Sequence, residues 1–255
     1  MSRSISTEDR ISSLPDPIIS HILSFLPTKI AATTSILSKR WNPLWLSLLV
    51  LHFDDETFQN FESFIHFVSS VFLLRDITLP LQSFQLKCSN TSAIQPQDIN
   101  RFVHAVAQRG IENLNLEMPG MVALPRSILR CKTLVVLHLK GLKVNDISLV
   151  VVDFPLLTTL HLSSVLFERF EYLLELLSGC PIIEELQVED LSVHNFEWIF
   201  IHEKSVVVEK FLSLLPNLIR ASITKSPSDL TKLASMLCSE AQVLRAEFVR
   251  IISWL

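Results

Sequence analysis

Glycine is nearly missing from this chain, with four in 255 residues. None falls in a G-x-G-x-x-G, G-x-x-x-x-G-K-[ST] or G-x-S-x-G order, so phosphate-cradling loops and strained nucleophile elbows have no sequence basis here. Cysteine is as scarce: Cys88, Cys131, Cys180 and Cys238 are scattered without a C-x-x-C pair. That argues against a zinc knuckle and a disulfide framework, and for reduced thiols. Charged residues make up only 19%, the formal net charge is -4, and no basic run exceeds Lys39-Arg40. The electrostatic footprint of a nucleic-acid binder is therefore missing. Long apolar runs are missing too, although mean hydropathy is +0.39. The best candidates, residues 44–53 and 64–74, are interrupted by Ser and His and are too short to span a bilayer. The opening M-S-R-S-I-S-T-E-D-R has no apolar secretion core, which points to the nucleus or cytoplasm.

What is present is aliphatic: 49% of residues are hydrophobic, ample for a buried core. Residues 1–8 read as a disordered lead. After them, Asp16 can cap a helix with Pro17 at its first position. Ile18, Ile19, Ile22, Leu23 and Leu26 follow at helical spacing until Pro27. Thr28 reads as a second cap, with Ile30, Thr34, Leu37 and Trp41 on one stripe ended by Pro43, and Trp45 and Leu48 continuing a third helix. About 40 residues in three short helices cannot bury all of that surface alone. An external contact on this head is therefore expected.

The opening L-P-D-x-I-x-x-H-I-L-S-F-L-P-T and the T-S-I-L-S-K-R-W-x-P-L-W close resemble the F-box of plant F-box and leucine-rich-repeat proteins of the FBD-associated type. The match covers residues 9–55. One departure is Thr33, where the family usually carries Arg. The resemblance implies that residues 9–52 form an F-box that grips the Skp-type adaptor of a cullin-based (SCF-type) ubiquitin ligase. The adaptor-binding set is then Leu14, Pro15, Ile18, Ile22, Leu23, Leu37, Lys39, Arg40, Trp41 and Trp45.

Behind the head a Leu-x-x-Leu-x-Leu cadence recurs, visible without any family knowledge. It begins at Leu81, Ile111, Leu134, Leu157, Ile183, Leu218 and, weakly, Val243. Most steps bracket the leucine-rich-repeat period, with a longer one before Leu218. Residues 81–255 thus read as a solenoid of about seven irregular repeats, an α/β fold with a parallel sheet on the concave side and helices on the convex side. First, fourth and sixth residues point to the core; third, fifth and seventh face solvent. Pro155, Pro181 and Pro216 each stand two residues before a repeat, where no ladder hydrogen bond is yet needed. Helical spacing marks residues 99–106 and 170–177, another helix from Ser228 over Leu230 to Leu237, and a helical connector over residues 53–80 carrying Phe61, Phe64, Ile65, Val68 and Phe72. No Gly/Ser tether separates head from solenoid, so the join should be stiff. The repeats around Cys131, Phe154 and Cys180 extend the family resemblance, and many members carry a further C-terminal FBD domain that is not seen before Leu255.

The fifth and seventh positions supply the expected target surface: Gln85, Asn115, His138, Lys140, His161, Gln187 and Glu189. His138 and His161 should be neighbours, but two imidazoles without a further ligand make a poor zinc site. Cys131 and Cys180 read as small buried hydrophobes, and carboxylate pairs such as Glu184-Glu185 as solvated charge. The functional expectation is a non-catalytic subunit without cofactor that holds a target protein for a ligase, with neither nucleic acid nor membrane as partner. The alternative is an interaction module whose head no longer engages a ligase.

Overall fold

The computed structural model describes residues 11, 13–89, 95–194, 213–224 and 249–252. Three short helices open the chain: α1 (Asp16–Ser24), α2 (Thr28–Thr33) and α3 (Trp41–Leu46), with a 3-10 turn at Thr34–Ile36. Their caps differ from the sequence expectation. Pro15 and Pro27, both extended, precede the first two helices, and neither Asp16 nor Thr28 caps through its side chain. Asp16 instead sits in the first turn and accepts from Arg40 Nε at 2.7 Å. The expected stripe from Ile30 to Trp41 is also broken, because the chain leaves helix near Leu37 and restarts at Trp41. Pro43 lies inside the first turn of α3, where its missing N–H costs nothing. This restart puts Trp41 and Trp45 four residues apart on one inward face of α3. They join Ile19, Leu23, Ala31 and Leu48 in the buried core.

The repeats form one parallel sheet among the described residues. Its main path runs β1 (Val50–Asp54), β2 (Ser83–Lys87), β3 (Asn113–Ala123), β4 (Val136–Val144), β5 (Thr159–Ser163), β7 (Glu185–Glu189), β9 (Arg220–Thr224) and β10 (Val249–Ile252). Two short strands, β6 (Leu166–Phe167) and β8 (Ser192–Val193), form a side row against β4. The cadence predicts the core: Leu81, Phe84 and Leu86, and their counterparts through Ile183, Leu186 and Val188, are all buried. Each sealed aliphatic or aromatic side chain contributes roughly 1.5–3 kcal/mol relative to exposure. No repeat collects enough of these contacts without its neighbours.

Two expectations need correction. The segment from residue 53 is not wholly helical. Leu48, Leu51 and Phe53 repeat the same cadence, β1 runs through Asp54, and a 3-10 turn at Asp55–Thr57 precedes α4 (Phe61–Leu74). The last strand pairs Val249 with Ala221 and Ile251 with Ile223, three residues beyond the register expected for a repeat starting at Val243. Residues 243–248 themselves, the expected helix after Ser228, the lead at 1–8 and Cys238 lie outside the described residues.

Head and sheet are joined by packing and by polar clasps. The buried Thr28 Oγ1 accepts the N–H of His52 in β1 at 2.8 Å, so α2 satisfies one backbone donor on the otherwise open edge of the sheet. Lys29 donates to the Thr57 carbonyl and lies over the Phe58 ring, 4.1 Å from its centroid. Arg75, after α4, donates to the carbonyls of Leu46 (2.9 Å) and Pro80 (3.1 Å), tying α3 to the run into β2. Burial, and then the charge of Arg109, lower its pKa to about 10.

Opposite the strands lie α4, α5 (Pro96–Ala107) and α6 (Phe170–Ser178), whose inward residues share the same core. Just past the seventh position of the cadence the backbone takes a positive φ at equivalent places, Gly141 within β4 and Ser164 and Asp190 directly after β5 and β7. Ser164 Oγ donates to Asp190 at 3.0 Å and links two successive corners. Gly179, where α6 ends, lies so close to Val152 that an added Cβ would stand 2.5 Å from its Cγ1.

Candidate functional site

Two surfaces stand out, one apolar and one polar. On α1 two apolar stripes run side by side, offset by one residue. Ile19 and Leu23 are sealed, while Ile18, Ile22 and Phe25, at i, i+4 and i+7, stay exposed. Ile30 on α2 and the pair Ile36 and Leu37, 86% and 73% accessible, add to the apolar exposure of the head. Of the residues expected at an external contact, Pro15, Ile18, Ile22, Leu37, Lys39 and Arg40 are accessible and Leu14 is half-buried. Leu23, Trp41 and Trp45 are not: at 0%, 6% and 6% exposure they form the inside of the head. The indoles are the largest apolar groups of so small a unit, and its own core takes them up. Phe25, Ile30 and Ile36 were not in the expected set. The signal that finds them is a helix apolar on two faces, since only one stripe can face its own core.

Arg40 holds the start of the head in place. Its guanidinium reaches Asp16 and the Leu14 carbonyl, the latter at 2.6 Å. Thr33, where the family usually has Arg, turns its hydroxyl back to the Ile30 carbonyl at 2.7 Å.

The second surface is the open face of the sheet, the side expected to be concave. Strand register places His52, Gln85, Asn115, His138, His161, Gln187 and Ser222 in one row. Asp54, Lys87, Glu117, Lys140, Ser163, Glu189 and Thr224 stand in the next row. All seven residues expected from the cadence occupy these rows. His52 and Asp54 also belong to these rows, although the sequence reading places residues 9–52 in the head and 53–80 in a connector; the Leu48-x-x-Leu51-x-Phe53 spacing is the signal that finds them.

The charges of this face are largely matched across strands. Lys87 bridges Asp54 (3.1 Å) and Glu56 (3.0 Å), Lys140 meets Glu117 (3.4 Å), and Arg220 meets Glu185 (3.0 Å). The hydrogen bonds that Lys87 donates to Glu56 and then to Asp54 raise its pKa. At the centre, His138 and His161 stack with ring centroids 3.9 Å apart and planes 28° from parallel. Burial is the main cause that lowers both their pKa values. The charge of His138 lowers that of His161 further, while Glu185 opposes the shift at both rings and Glu117 opposes it at His138. The stack is therefore neutral at neutral pH. A depression of about 210 Å³ lies over it, reaching from Asn115 on β3 to Thr224 on β9.

Cys88 and Cys180 are buried thiols whose pKa burial pushes up to about 12, the reverse of an activated nucleophile. Among the described residues no group of three His, Cys, Asp or Glu could hold a metal ion. No described helix is long and apolar enough to cross a membrane.

Comparison with known proteins matches both the head and the repeats. Residues 11–53 match the F-box domain model, and residues 99–242 match the leucine-rich-repeat model of the FBD-associated F-box protein At5g56370. F-box/LRR-repeat protein At4g14103 of Arabidopsis thaliana is 40% identical over 196 residues, 73% of this chain and 51% of that relative. F-box/FBD/LRR-repeat protein At4g00160 of the same plant is 38% identical over 204 residues, 76% of this chain and 44% of its own length. F-box protein At4g09920, also from that plant, is 35% identical over 229 residues, 86% of this chain and 66% of the relative. The chain thus spans about half the length, or less, of the first two relatives. With a helical F-box head leading directly into leucine-rich repeats, it belongs to the plant F-box/LRR-repeat family.

Proposed function

We propose that this chain is the substrate-recognition subunit of a cullin-based ubiquitin ligase of the SCF type, acting in the nucleus or cytoplasm. The observation that supports this reading is the exposed stripe Ile18, Ile22 and Phe25 on a head whose own core is already filled by Ile19, Leu23, Trp41 and Trp45. An apolar face left over after the internal core is complete marks a surface for another polypeptide. In an F-box that polypeptide is a Skp-type adaptor. The open face of the repeats holds the target protein. Holding a target lysine beside a charged conjugating enzyme raises its effective concentration, so this chain supplies proximity and no acid, base or nucleophile.

The test is capture of a purified Skp-type adaptor by the whole chain and by an Ile18→Glu/Ile22→Glu variant. The wild type retains the adaptor and the variant, still folded, does not. A folded wild-type chain that fails to retain it supports the other reading, an interaction module detached from the ligase. The observation favouring that second reading is Thr33, which lacks the family's usual guanidinium and spends its hydroxyl on the Ile30 carbonyl one turn back.

A further inference from the structure

Strands β2 and β3 set four uncharged polar side chains side by side on the open face. Phe84, Leu86, Leu114 and Leu116 point to the core, so Ser83 and Gln85 of β2 stand on the other side, in register with Asn113 and Asn115 of β3. All four are half-buried, and among the described residues none of their side chains has a hydrogen-bonding partner. Three carboxamides and a hydroxyl thus keep their donors and acceptors for something outside the chain. The polar groups around them are already engaged: Lys87 with Asp54 and Glu56, Lys140 with Glu117, and the Gln187 amide with Glu185.

A charged ligand at this block would have to break one of those ion pairs to gain a counter-ion. An uncharged peptide group meets the opposite conditions. A carboxamide carries both a donor and an acceptor, and in an extended chain the N–H and C=O of one residue point to the same edge, so the two close a pair of hydrogen bonds. Residues that share an edge recur every ~6.8 Å, and Ser83 with Gln85, like Asn113 with Asn115, recur every ~6.6 Å along their strands. Across the strands, at ~4.8 Å, the pitches do not match. We infer that this block is a docking site for the backbone of an extended segment of the target protein, laid along β2 and β3 and read without phosphorylation. The inference rests on the reading of the open face as the target surface, and it gives that surface a place and a chemistry for its first anchor.

The experiment follows the side-chain amide NMR signals of Gln85, Asn113 and Asn115 in the full chain, assigned with single leucine variants. Three capped hexapeptides are titrated. The first is acetyl-(Thr-Ala)3-amide, whose β-branched residues favour extension. The second is its depsipeptide counterpart, with ester oxygens in place of the N–H groups, and the third is the first peptide phosphorylated on its middle threonine. The first peptide shifts all three signals. The ester, which keeps the shape but lacks the donors, binds about tenfold or more weakly, the scale of two lost neutral hydrogen bonds. The phosphorylated peptide binds no more tightly than the first. A Gln85→Leu/Asn115→Leu variant with unchanged thermal unfolding, read at the Asn113 amide, weakens the first peptide by a similar factor; if that variant unfolds early, the ester comparison decides alone. Equal binding of peptide and ester, tighter binding of the phosphorylated form, or no shift from any peptide overturns the site. Because the titration needs neither adaptor nor ligase, its failure is distinguishable from a failure of adaptor capture.

Discussion

The head and the repeats are built from the same aliphatic residues but leave different surfaces behind. In each repeat three apolar residues go inward and the residues between them are mostly polar, so the open face of the sheet is a field of amides, hydroxyls, imidazoles and paired charges. Helix α1 places apolar residues on both sides of its axis, and only Ile19 and Leu23 are sealed. A repeat meets its needs from its neighbours in the same chain. The head keeps an unmet apolar face after its own core is complete. Under the proposed function, a partner at the head would gain mainly from buried area, and one on the repeats mainly from matched hydrogen bonds and charge.

The comparison breaks most visibly at the indoles. If Trp45 belongs to the inside of the head, Trp45→Ala removes a sealed aromatic and costs about 3–5 kcal/mol. The check is denaturant unfolding of the adaptor-free chain, where a surface residue would leave the midpoint nearly unchanged. The complementary change is Ile18→Glu/Ile22→Glu. It should lose adaptor affinity by about 2 kcal/mol or more, as at the centre of a protein interface, with each exposed substitution moving stability by only about 0.5 kcal/mol. Calorimetric titration of the adaptor, with unfolding measured in parallel, separates the two effects.

Thr28→Val probes the seam between the regions. It keeps the shape but deprives the His52 N–H of its acceptor, with an expected cost of about 1–3 kcal/mol. Faster amide exchange at His52 should accompany the loss. The smallest effect is on pH. The pKa values of His52, His138 and His161 are all lowered in the folded chain, mainly by burial. Below the ordinary value of 6.5 the unfolded chain takes up protons that the folded chain still refuses. Stability is therefore full above that value and declines as pH falls toward the lowered values. Tm should drop between pH 7.5 and 5.5, and a His138→Gln/His161→Gln variant should flatten the slope, leaving the part due to His52.

The repeats were legible because their signal is periodic. Six cadences fixed which residues go inward, and parallel register then brought Gln85, Asn115, His138, His161 and Gln187 into a single row. The head was legible as helical and as a member of its family, but its polarity was not. Whether an indole faces in or out depends on where α3 restarts, and the break after Leu37 carries no proline or glycine to announce it. Leu48-x-x-Leu51-x-Phe53 went unrecognised for a related reason: the family motif occupied the same residues. Cross-strand ion pairs such as Lys87 with Asp54 follow once register is known, but no spacing within one repeat reveals them.

The even stacking of strands limits how a target can be read. Neighbouring rungs of a parallel sheet lie about 4.8 Å apart, whereas successive same-side groups of an extended peptide recur every ~6.8 Å. A peptide laid along the row from His52 to Ser222 falls out of step almost at once, and the two spacings coincide again only after about seven rungs. A target held on this face, as proposed, would be aligned as on a vernier scale. One well-placed anchor decides alignment, and the remaining rungs contribute where the target happens to bend toward them.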